Sequence, residues 1–303
     1  MNGCRPGGTR CSDMLLNWAC ENENMRHAAD VSTLSPIGVM IVLYNKRCSA
    51  SSSVVSFVLN RPQIFVLADN STDSAIIAYN REYCRTHAIE YCGMDGNQGL
   101  PKAYNAGIKI VGFRAEYLMI LDDDTEIPEN CLQILADAIQ KNPDADLYLP
   151  FVYDAKGLLS PSRRVQCVFL RLRKPPVTFS PKMSAINSGL VIHLRAEAMD
   201  EPLFDEMQFL DCVDHLFVFK QIRNAKNIQL YSAEFRQSFF DLSQEDRDLR
   251  MERTLSRFKF FSKDYVYFCS ACSLNMALAR LYLIFRAIKL NLRFRTTRFF
   301  HVL

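Results

Sequence analysis

The amino-acid sequence predicts an α/β fold in which helices flank a mostly parallel sheet. Short apolar runs alternate with helical segments at intervals of about 25 to 30 residues through the first half of the chain, which is typical of βαβ units. The runs are apolar throughout, as expected of strands that are buried on both faces of a sheet. Polar residues follow the runs, at the sheet edge where such folds bind ligands.

The first two runs each end in polar residues. Ile37–Leu43 is the first predicted strand, and Tyr44 and Asn45 follow it directly. The second run, residues 64–68, stops at a polar stretch that begins with Asp69. Turn and helix-cap chemistry explains this stretch at least as well as ligand binding does. Its position at a strand end makes Asp69 a candidate acceptor for the imide N–H of a nucleobase.

A loop of glycines and amides follows the third run, residues 89–92. Asn97 and Gly99 lie in this loop, and glycine allows a ligand to approach the backbone closely. The next helix is predicted to begin near Pro101, which suits a first helical turn. Asn105 on this helix is a further candidate to face the same cleft.

Three consecutive acids, Asp122–Asp124, follow the fourth run, residues 117–121. Carboxylates held together after a buried strand are destabilising unless a cation neutralises them. The alternate residues Asp122 and Asp124 can face one hard cation, whose preferred ligands are carboxylate, water and phosphate oxygens. The alternative is a charged helix cap formed by Asp124 and Thr125. A cap accounts for one or two polar residues but not readily for three acids, so the pattern favours a metal site.

Composition and cysteine usage limit the function class. The 303 residues are 49% hydrophobic with a net charge of +3, which suits one large or two small globular domains. We expect no nucleic-acid partner, because no basic block interrupts the first two hundred residues, and no membrane span, because no apolar stretch reaches ~20 residues. Eleven cysteines and no recognisable signal peptide favour reduced thiols in the cytoplasm. Residues 1–35 lack periodicity and are interpreted as a disordered or mis-assigned leader.

The polar motifs together resemble those of family 2 glycosyltransferases. They occur in the family's order along the chain, as Tyr44-Asn45, residues 69–73, residues 97–107 and residues 121–125. Residues 187–189 and 203–215 resemble the acceptor-side segments of the rhamnosyltransferase-like branch. The resemblance covers about residues 36–260 and implies a catalytic domain with the GT-A nucleotide-sugar fold.

The resemblance implies an inverting transfer of one sugar from a nucleoside diphosphate to an acceptor hydroxyl. UDP- or dTDP-sugars are the implied donors, rhamnose is the favoured sugar, and a glycan or lipid-linked glycan of a growing surface polysaccharide is the implied acceptor. By position, Asp69 would hold the nucleobase, and Asp122 and Asp124 would hold the ribose and a Mg²⁺ or Mn²⁺ ion on the diphosphate. The remaining implied donor-binding residues are Tyr44, Asn45, Asn97, Gly99, Asn105 and Ser188.

The same resemblance implies a general base in the segment 203–215. Asp211 is favoured because it aligns with the usual base position, and Asp214 is the alternative. Without the resemblance, an ordinary acidic helix start explains the pair better. Many family members carry a histidine after this segment as a further metal ligand, whereas residues 228–241 contain none, and Gln237 is the nearest neutral polar candidate.

The chain's last part, residues 261–303, is predicted to be a basic amphipathic helical tail. No acid follows Asp264, and apolar residues recur at helical spacing among basic ones. A helix in a membrane interface and a helix packed on the catalytic domain explain this pattern about equally. Attraction to anionic lipids slightly favours a peripheral position at the inner face of the cell membrane. The apolar residues are Leu274, Leu278, Leu281, Ile284, Phe285 and Ile288.

Two rival functions follow from the same residues. A nucleotidyltransferase would share the sheet and the acidic site, but it needs a basic, glycine-rich phosphate loop that residues 37–50 lack. A non-catalytic scaffold on the same fold predicts that Asp122, Asp124 and Asp211 do not converge on one cleft.

Overall fold

A mostly parallel sheet runs through the computed structural model of the protein, which describes residues 36–60, 62–195, 201–237 and 246–303. The predicted leader, residues 1–35, lies outside the described residues. The strands are β1 (Ile37–Leu43), β2 (Ile64–Asp69), β3 (Glu90–Gly93), β4 (Tyr117–Asp122), β5 (Thr125–Glu126), β6 (Leu147–Asp154), β7 (Gly157–Ser160), β8 (Ser162–Val165), β9 (Val168–Arg171), β10 (Met183–Ser184), β11 (Leu190–His193) and β12 (Ile228–Gln237). The helices are α1 (Ser52–Asn60), α2 (Ser74–Thr86), α3 (Leu100–Val111), α4 (Cys131–Lys141), α5 (Val213–Arg223), α6 (Arg247–Ala271) and α7 (Met276–Phe294).

The main sheet has the strand order β3-β2-β1-β4-β11-β6-β12-β5, with β7 paired to β6. Strands β3, β2, β1 and β4 are all parallel, and β1 pairs with both β2 and β4. Strand β11 runs antiparallel between β4 and β6, whereas β12 is parallel to β6. The predicted α/β class with a mostly parallel sheet is therefore confirmed.

Helices cover both faces of this sheet, which is why the strands are apolar throughout. Alternate side chains of β1 point to opposite faces. Ile41 packs in a cluster with residues of α1, α2 and α4, whereas Met40 packs with residues of α3 and α5. Both side chains are fully buried. Burial of each such side chain contributes roughly 1.5–3 kcal/mol, so the two clusters fix the strand ends that carry the polar residues.

The two C-terminal helices form a separate cluster with each other. Phe258, Phe261 and Phe268 of α6 pack in one apolar cluster with Ala279 and Leu283 of α7. Helix α6 already begins at residue 247, so the predicted boundary at residue 261 falls inside one helix. The first turns of α6 are polar, and their sequence lacks the apolar spacing on which the prediction rested.

One face of α7 remains exposed although it is apolar. Exposed fractions are 47% for Leu281 and 61% for Phe285, while the opposite side of the helix packs on α6. The predicted tail is therefore helical, with a packed face and an apolar outer face. Within the described ranges, no helix combines the length and the hydropathy needed to cross a bilayer. The described cysteines are free thiols.

Candidate active site

The acidic turn after β4 is fixed by hydrogen bonds from the start of α1. Ser53 Oγ donates to the carbonyl oxygen of Asp122 at 2.6 Å, and the residues after the turn form β5. Helix α4 begins only at Cys131, with Asn130 as its N-cap residue. The interpretation of Asp124 as a helix cap is therefore wrong, because a strand separates it from the helix.

The Asp122 carboxylate lines the site and accepts hydrogen bonds from two side chains. Ser188 Oγ donates to Asp122 Oδ2 at 2.6 Å, and Tyr104 Oη donates to Asp122 Oδ1 at 3.4 Å. Burial raises the pKa of Asp122 to about 6, and the nearby Asp124 and Asp214 charges act in the same direction, against the Ser188 hydrogen bond. A positive charge beside this carboxylate would relieve the cost of its ionisation.

Gln237, at the end of β12, connects the two outer acids of the turn. Its Nε2 lies 3.3 Å from Asp122 Oδ2 and 3.3 Å from Asp124 Oδ1. The middle acid, Asp123, pairs with Lys46 at 2.9 Å and so faces away from this group. Nowhere in the described residues do three or more His, Cys, Asp or Glu side chains cluster as metal ligands. Two carboxylates and one amide still form an oxygen-rich donor set that suits a hard divalent cation with water and phosphate oxygens.

Asp69 lies at the end of β2 with its carboxylate buried. Its oxygens accept hydrogen bonds from the Ser71 N–H at 3.1 Å, from Asn80 Nδ2 at 3.0 Å and from Tyr91 Oη at 3.0 Å. Only 2% of the residue is exposed. A carboxylate has about four acceptor positions, so these three donors leave one free for a ligand N–H.

Asparagine side chains link the ends of β1, β2 and β3. Asn45 Oδ1 accepts from the Thr72 N–H at 2.9 Å, and Asn70 Nδ2 donates to Asn97 Oδ1 at 3.0 Å. Tyr44 has no such role and is 51% exposed. The network therefore holds three strand ends in fixed positions and leaves one aromatic ring open to a ligand.

Gly99 and Asn105 contact other parts of the chain itself. A Cβ on Gly99, whose φ is +89°, would lie 2.8 Å from the carbonyl oxygen of Phe209, and this oxygen accepts from the Leu100 N–H at 2.8 Å. Asn105 donates to the carbonyl oxygen of Phe204 at 2.9 Å and accepts from the Phe204 N–H at 3.0 Å. Both residues therefore position the segment before α5, residues 203–212.

That segment, which carries the predicted base, is fastened to α6. Asp264 Oδ1 accepts from the Phe209 N–H at 3.0 Å, and its Oδ2 accepts from the N–H groups of Leu210 at 2.7 Å and Asp211 at 2.8 Å. Asp264 is 1% exposed. Three N–H donors compensate this buried carboxylate, and they set the position of the Asp211 backbone.

The Asp211 carboxylate itself has one partner. Arg257 Nη2 donates to Asp211 Oδ1 at 3.0 Å, while the buried Oδ2 has no hydrogen-bond partner among the described residues. Burial raises the pKa of Asp211 to about 6. The charges of Arg257 and Arg286 lower this pKa, and those of Asp264 and Asp214 raise it. The side chain is thus ionised at neutral pH and keeps one oxygen free.

Asp214 and His215 lie one turn further along. Asp214 Oδ1 accepts from the His215 N–H at 2.8 Å. The His215 ring hydrogen-bonds Ser184 Oγ at 2.8 Å and stacks on Phe169 with ring centroids 3.6 Å apart. Burial lowers the pKa of His215, so its imidazole is neutral at physiological pH.

Three of the predicted acids line one cavity of about 430 Å³. Asp122, Asp211 and Asp214 all line it, and Asp124 shares Gln237 with Asp122. The scaffold alternative predicts no such convergence. The other predicted donor-binding residues do not line this cavity, with Ser188 one hydrogen bond away behind Asp122. They are Tyr44, Asn45, Asp69, Asn97, Gly99 and Asn105.

Sequence reasoning missed the contribution of α6 and α7 to this cavity. Arg257 and Arg286 line it, and Asp264 supports it from behind. One signal was available, because an acid on the apolar face of a helix, beside Phe261 and Tyr265, needs a buried partner. The identity of that partner is a contact over more than 50 residues, which periodicity does not reveal.

Parts of this chain are similar in sequence to curated proteins. Two poly-beta-1,6-N-acetyl-D-glucosamine synthases of Staphylococcus epidermidis are 31% identical over 111 residues and 27% identical over 126 residues. These matches cover 35% and 40% of this chain but only 26% and 30% of the relatives, so the chain spans less than a third of their length.

Two solved structures share the fold at low sequence identity. GalNAc-T7 with UDP, GalNAc and Mn²⁺ has a TM-score of 0.56 at 14% identity, over 76% of this chain and 50% of that chain. Glucosyl-3-phosphoglycerate synthase of Mycobacterium tuberculosis, in complex with Mn²⁺, UDP and glucosyl-3-phosphoglycerate, has a TM-score of 0.50 at 10% identity, over 80% and 81%. The family model described as "Glycosyl transferase family 2" matches residues 39–191. Because this match spans half of the chain and carries the strand ends described above, the chain belongs to glycosyl transferase family 2 and has the GT-A fold.

Proposed function

We propose that the protein is an inverting glycosyltransferase that moves one sugar from a nucleoside diphosphate to an acceptor hydroxyl. The observation that carries this proposal is the convergence of Asp122, Asp211 and Asp214 on one cavity beside the strand ends of a family 2 domain. One carboxylate beside the donor and another beside the acceptor suit a displacement reaction, in which the nucleophile enters opposite the leaving group.

The donor binds at the ends of β1 to β4. Asp69 accepts the imide N–H of the base, and the exposed Tyr44 ring stacks on it. Asn45 and Asn97 keep the surrounding strand ends in place. Asp122 accepts from the ribose hydroxyls, oriented by Ser188. Gly99 and Asn105 contribute indirectly, through the segment that faces the donor.

Asp122 and Asp124 would hold a Mg²⁺ or Mn²⁺ ion, with Gln237 in reach of both. When bound, the cation neutralises the negative charge that develops on the departing diphosphate. Gln237 requires only a rotation of its amide to present oxygen instead of nitrogen.

Asp211 is the proposed general base. Its carboxylate, which lines the cavity, accepts the proton of the acceptor hydroxyl while the hydroxyl oxygen attacks the anomeric carbon and the bond to the diphosphate breaks. A pKa of about 6 keeps the carboxylate ionised at neutral pH, yet basic enough to assist. Asp214, whose Oδ1 already accepts the His215 N–H, is the alternative base.

We propose that the nucleotide is UDP or dTDP. We propose that the acceptor is a growing surface polysaccharide, and a lipid-linked glycan is the first form of it to test. The synthase names of the curated relatives support the polysaccharide. Residues 187–189 and 203–215, which resemble the rhamnosyltransferase-like branch, support rhamnose as the transferred sugar. The proposed catalytic domain comprises residues 36–260, completed by the helices α6 and α7.

The exposed apolar face of α7 supports a peripheral position at the inner face of the cell membrane, in the cytoplasm. Phe285 and Leu292 are exposed on this helix, and Lys289 and Arg293 are its neighbouring cations. Apolar side chains insert between lipid headgroups while cations attract anionic lipids. A lipid-linked acceptor would be presented at the same surface.

A donor-binding screen tests the proposed function. We expect UDP- or dTDP-sugars, but not GDP-sugars, to raise the melting temperature and to bind more tightly with Mn²⁺ or Mg²⁺. Asp124→Ala should weaken binding about 10-fold or more in the presence of the metal and little in its absence. Asp137→Ala, which removes an exposed carboxylate from α4 away from the site, is the control. Failure of every nucleotide sugar to bind the folded protein would contradict the proposal.

A further inference from the structure

Two arginines of the C-terminal helices face the end of the cavity where Asp211 lies. Arg257 of α6 pairs with Asp211, and Arg286 of α7 lines the same cavity. The Arg286 guanidinium lies 3.8 Å from the centroid of the Phe261 ring. This ring fixes the position of the charge at the cavity wall, because a cation is attracted to the face of an aromatic ring.

The guanidinium of Arg286 keeps its hydrogen-bonding capacity free. Among the described residues, neither a carboxylate nor another oxygen forms a hydrogen bond or ion pair with its guanidinium. The whole sequence after Asp264 contains no acid that could serve as a partner on α7. A guanidinium offers five N–H donors in a planar fork, and this fork matches phosphate and carboxylate groups.

The side of the reaction on which these cations act follows from the displacement geometry. In an inverting transfer, the base and the leaving group lie on opposite sides of the anomeric carbon. Arg257 contacts the proposed base directly, at 3.0 Å from Asp211 Oδ1, and the charge of Arg286 acts on the same carboxylate. The two arginines therefore lie on the acceptor side and not beside the diphosphate.

We propose that the acceptor carries an anionic group, a phosphate or a carboxylate, close to the reacting hydroxyl, and that Arg286 and Arg257 bind it. This inference rests on the proposed function, because it uses Asp211 as the base. An incoming anion competes with Asp211 for Arg257, so its binding also frees Oδ1 of the base. The acceptor thereby completes the site in which its own hydroxyl is deprotonated.

Three ring sugars that differ in charge test this inference. Glucose, glucose 6-phosphate and glucuronic acid are titrated by calorimetry into the full-length protein, which has first been saturated with the nucleotide selected by the donor screen. We expect at least one anionic sugar to bind about 10-fold or more tightly than glucose, since hydrogen bonds between charged groups are the strong ones. Preference for the phosphate or for the carboxylate identifies the source of the charge.

Matched variants separate a specific site from general attraction. Arg286→Gln keeps the apolar stem and should reduce the preference for the anionic sugar to less than about threefold. Arg280→Gln removes the same charge from α7 but lies at a different cavity, with Lys259 and Lys263, and should keep the preference. An equal melting temperature of the two variants shows that both fold.

Two results would overturn the inference. If the nucleotide binds but the three sugars bind equally, the acceptor site does not select an anion, and the proposed function stands alone. If Arg280→Gln loses as much preference as Arg286→Gln, the attraction is general and Arg286 has no special role. Failure of the nucleotide itself to bind would instead overturn the proposed function and the inference together.

Discussion

Two parts of the site are built in different ways. One is the donor edge, formed by the ends of β1 to β4, and the other is the acceptor end of the cavity, where Asp211 lies. At the donor edge, Asp69 accepts three hydrogen bonds, and asparagines tie three strand ends together. At the acceptor end, Asp211 has one partner and an oxygen with none, and Arg286 holds its charge on an aromatic ring. The donor edge is thus rigid before any ligand arrives, whereas the acceptor end keeps unused hydrogen-bonding capacity that only a ligand can satisfy.

The largest effect should come from substitution of the proposed base. If that effect is absent, Asp211 does not distinguish the acceptor end from the donor edge. Asp211→Asn should lower kcat about 10²- to 10⁴-fold and leave donor affinity unchanged, because the donor edge is independent of this carboxylate. Transfer rates and nucleotide titrations of the same preparation measure both. Asp214→Asn is the matched variant, and normal turnover by Asp211→Asn would move the role of base to Asp214.

A smaller but still large effect should follow from the residue that holds the base in place. Asp264→Asn replaces a carboxylate that accepts three backbone N–H groups by an amide with one acceptor oxygen. We expect a loss of about 2–4 kcal/mol in the free energy of unfolding, and a fall in kcat larger than any change in donor affinity.

Asp246→Asn provides the control for that experiment. Asp246 is the exposed N-cap residue of the same helix, and asparagine caps helices about as well as aspartate. Denaturant unfolding should therefore show no change for this variant. Equal destabilisation by the two substitutions would indicate that Asp264 supports α6 in general and not the base segment.

The exposed face of α7 should produce an effect of about 10-fold. Phe285→Ser should weaken binding to vesicles of anionic lipid by this factor, because burial of a phenylalanine contributes roughly 1.5–3 kcal/mol. Phe113→Ser, which changes a ring that is 76% exposed at the end of α3, should have no effect. Vesicle sedimentation measures the binding of both variants. Equal losses of binding would show that exposed apolar side chains anywhere on the surface bind lipid and that α7 has no special role.

The smallest effect concerns the pH dependence of the base. Asp211 must be ionised to act, so activity should fall as the pH drops through its pKa of about 6. Arg257→Gln removes a cation that lowers this pKa, and the acidic limb of kcat/KM should move to higher pH. Arg286 still lowers the pKa in this variant, while Asp264 and Asp214 still raise it. A limb that stays in place or moves to lower pH would contradict this assignment.

The donor edge was more predictable from the sequence than the acceptor end, for a physical reason. Strand ends follow buried apolar runs directly, so the positions of Asn45, Asp69 and Asp122 could be predicted from local pattern alone. The segment around Asp211 was recognised only through the resemblance to a family. Its partners Asp264 and Arg257 lie far away in sequence, on a helix whose first turns are too polar to be recognised by apolar spacing.

The same limit applies within the donor edge. Gly99 and Asn105 were predicted to face the donor, yet their immediate neighbours are Phe209 and Phe204. The sequence showed that a close approach to the backbone was possible at this loop. It did not show that the approaching group belongs to the chain, because this contact depends on how the segment before α5 crosses the sheet.

The contact between Gly99 and Phe209 connects the proposed donor site to the proposed acceptor site through the segment before α5. Its backbone is held on one side by Asp264 and on the other by the hydrogen bond from the Leu100 N–H to the Phe209 carbonyl oxygen, at the start of α3. A nucleotide bound against the loop before α3 is therefore linked to the base through this segment. Since such coupling is reciprocal, the acceptor should tighten nucleotide binding by the same factor by which the nucleotide tightens acceptor binding.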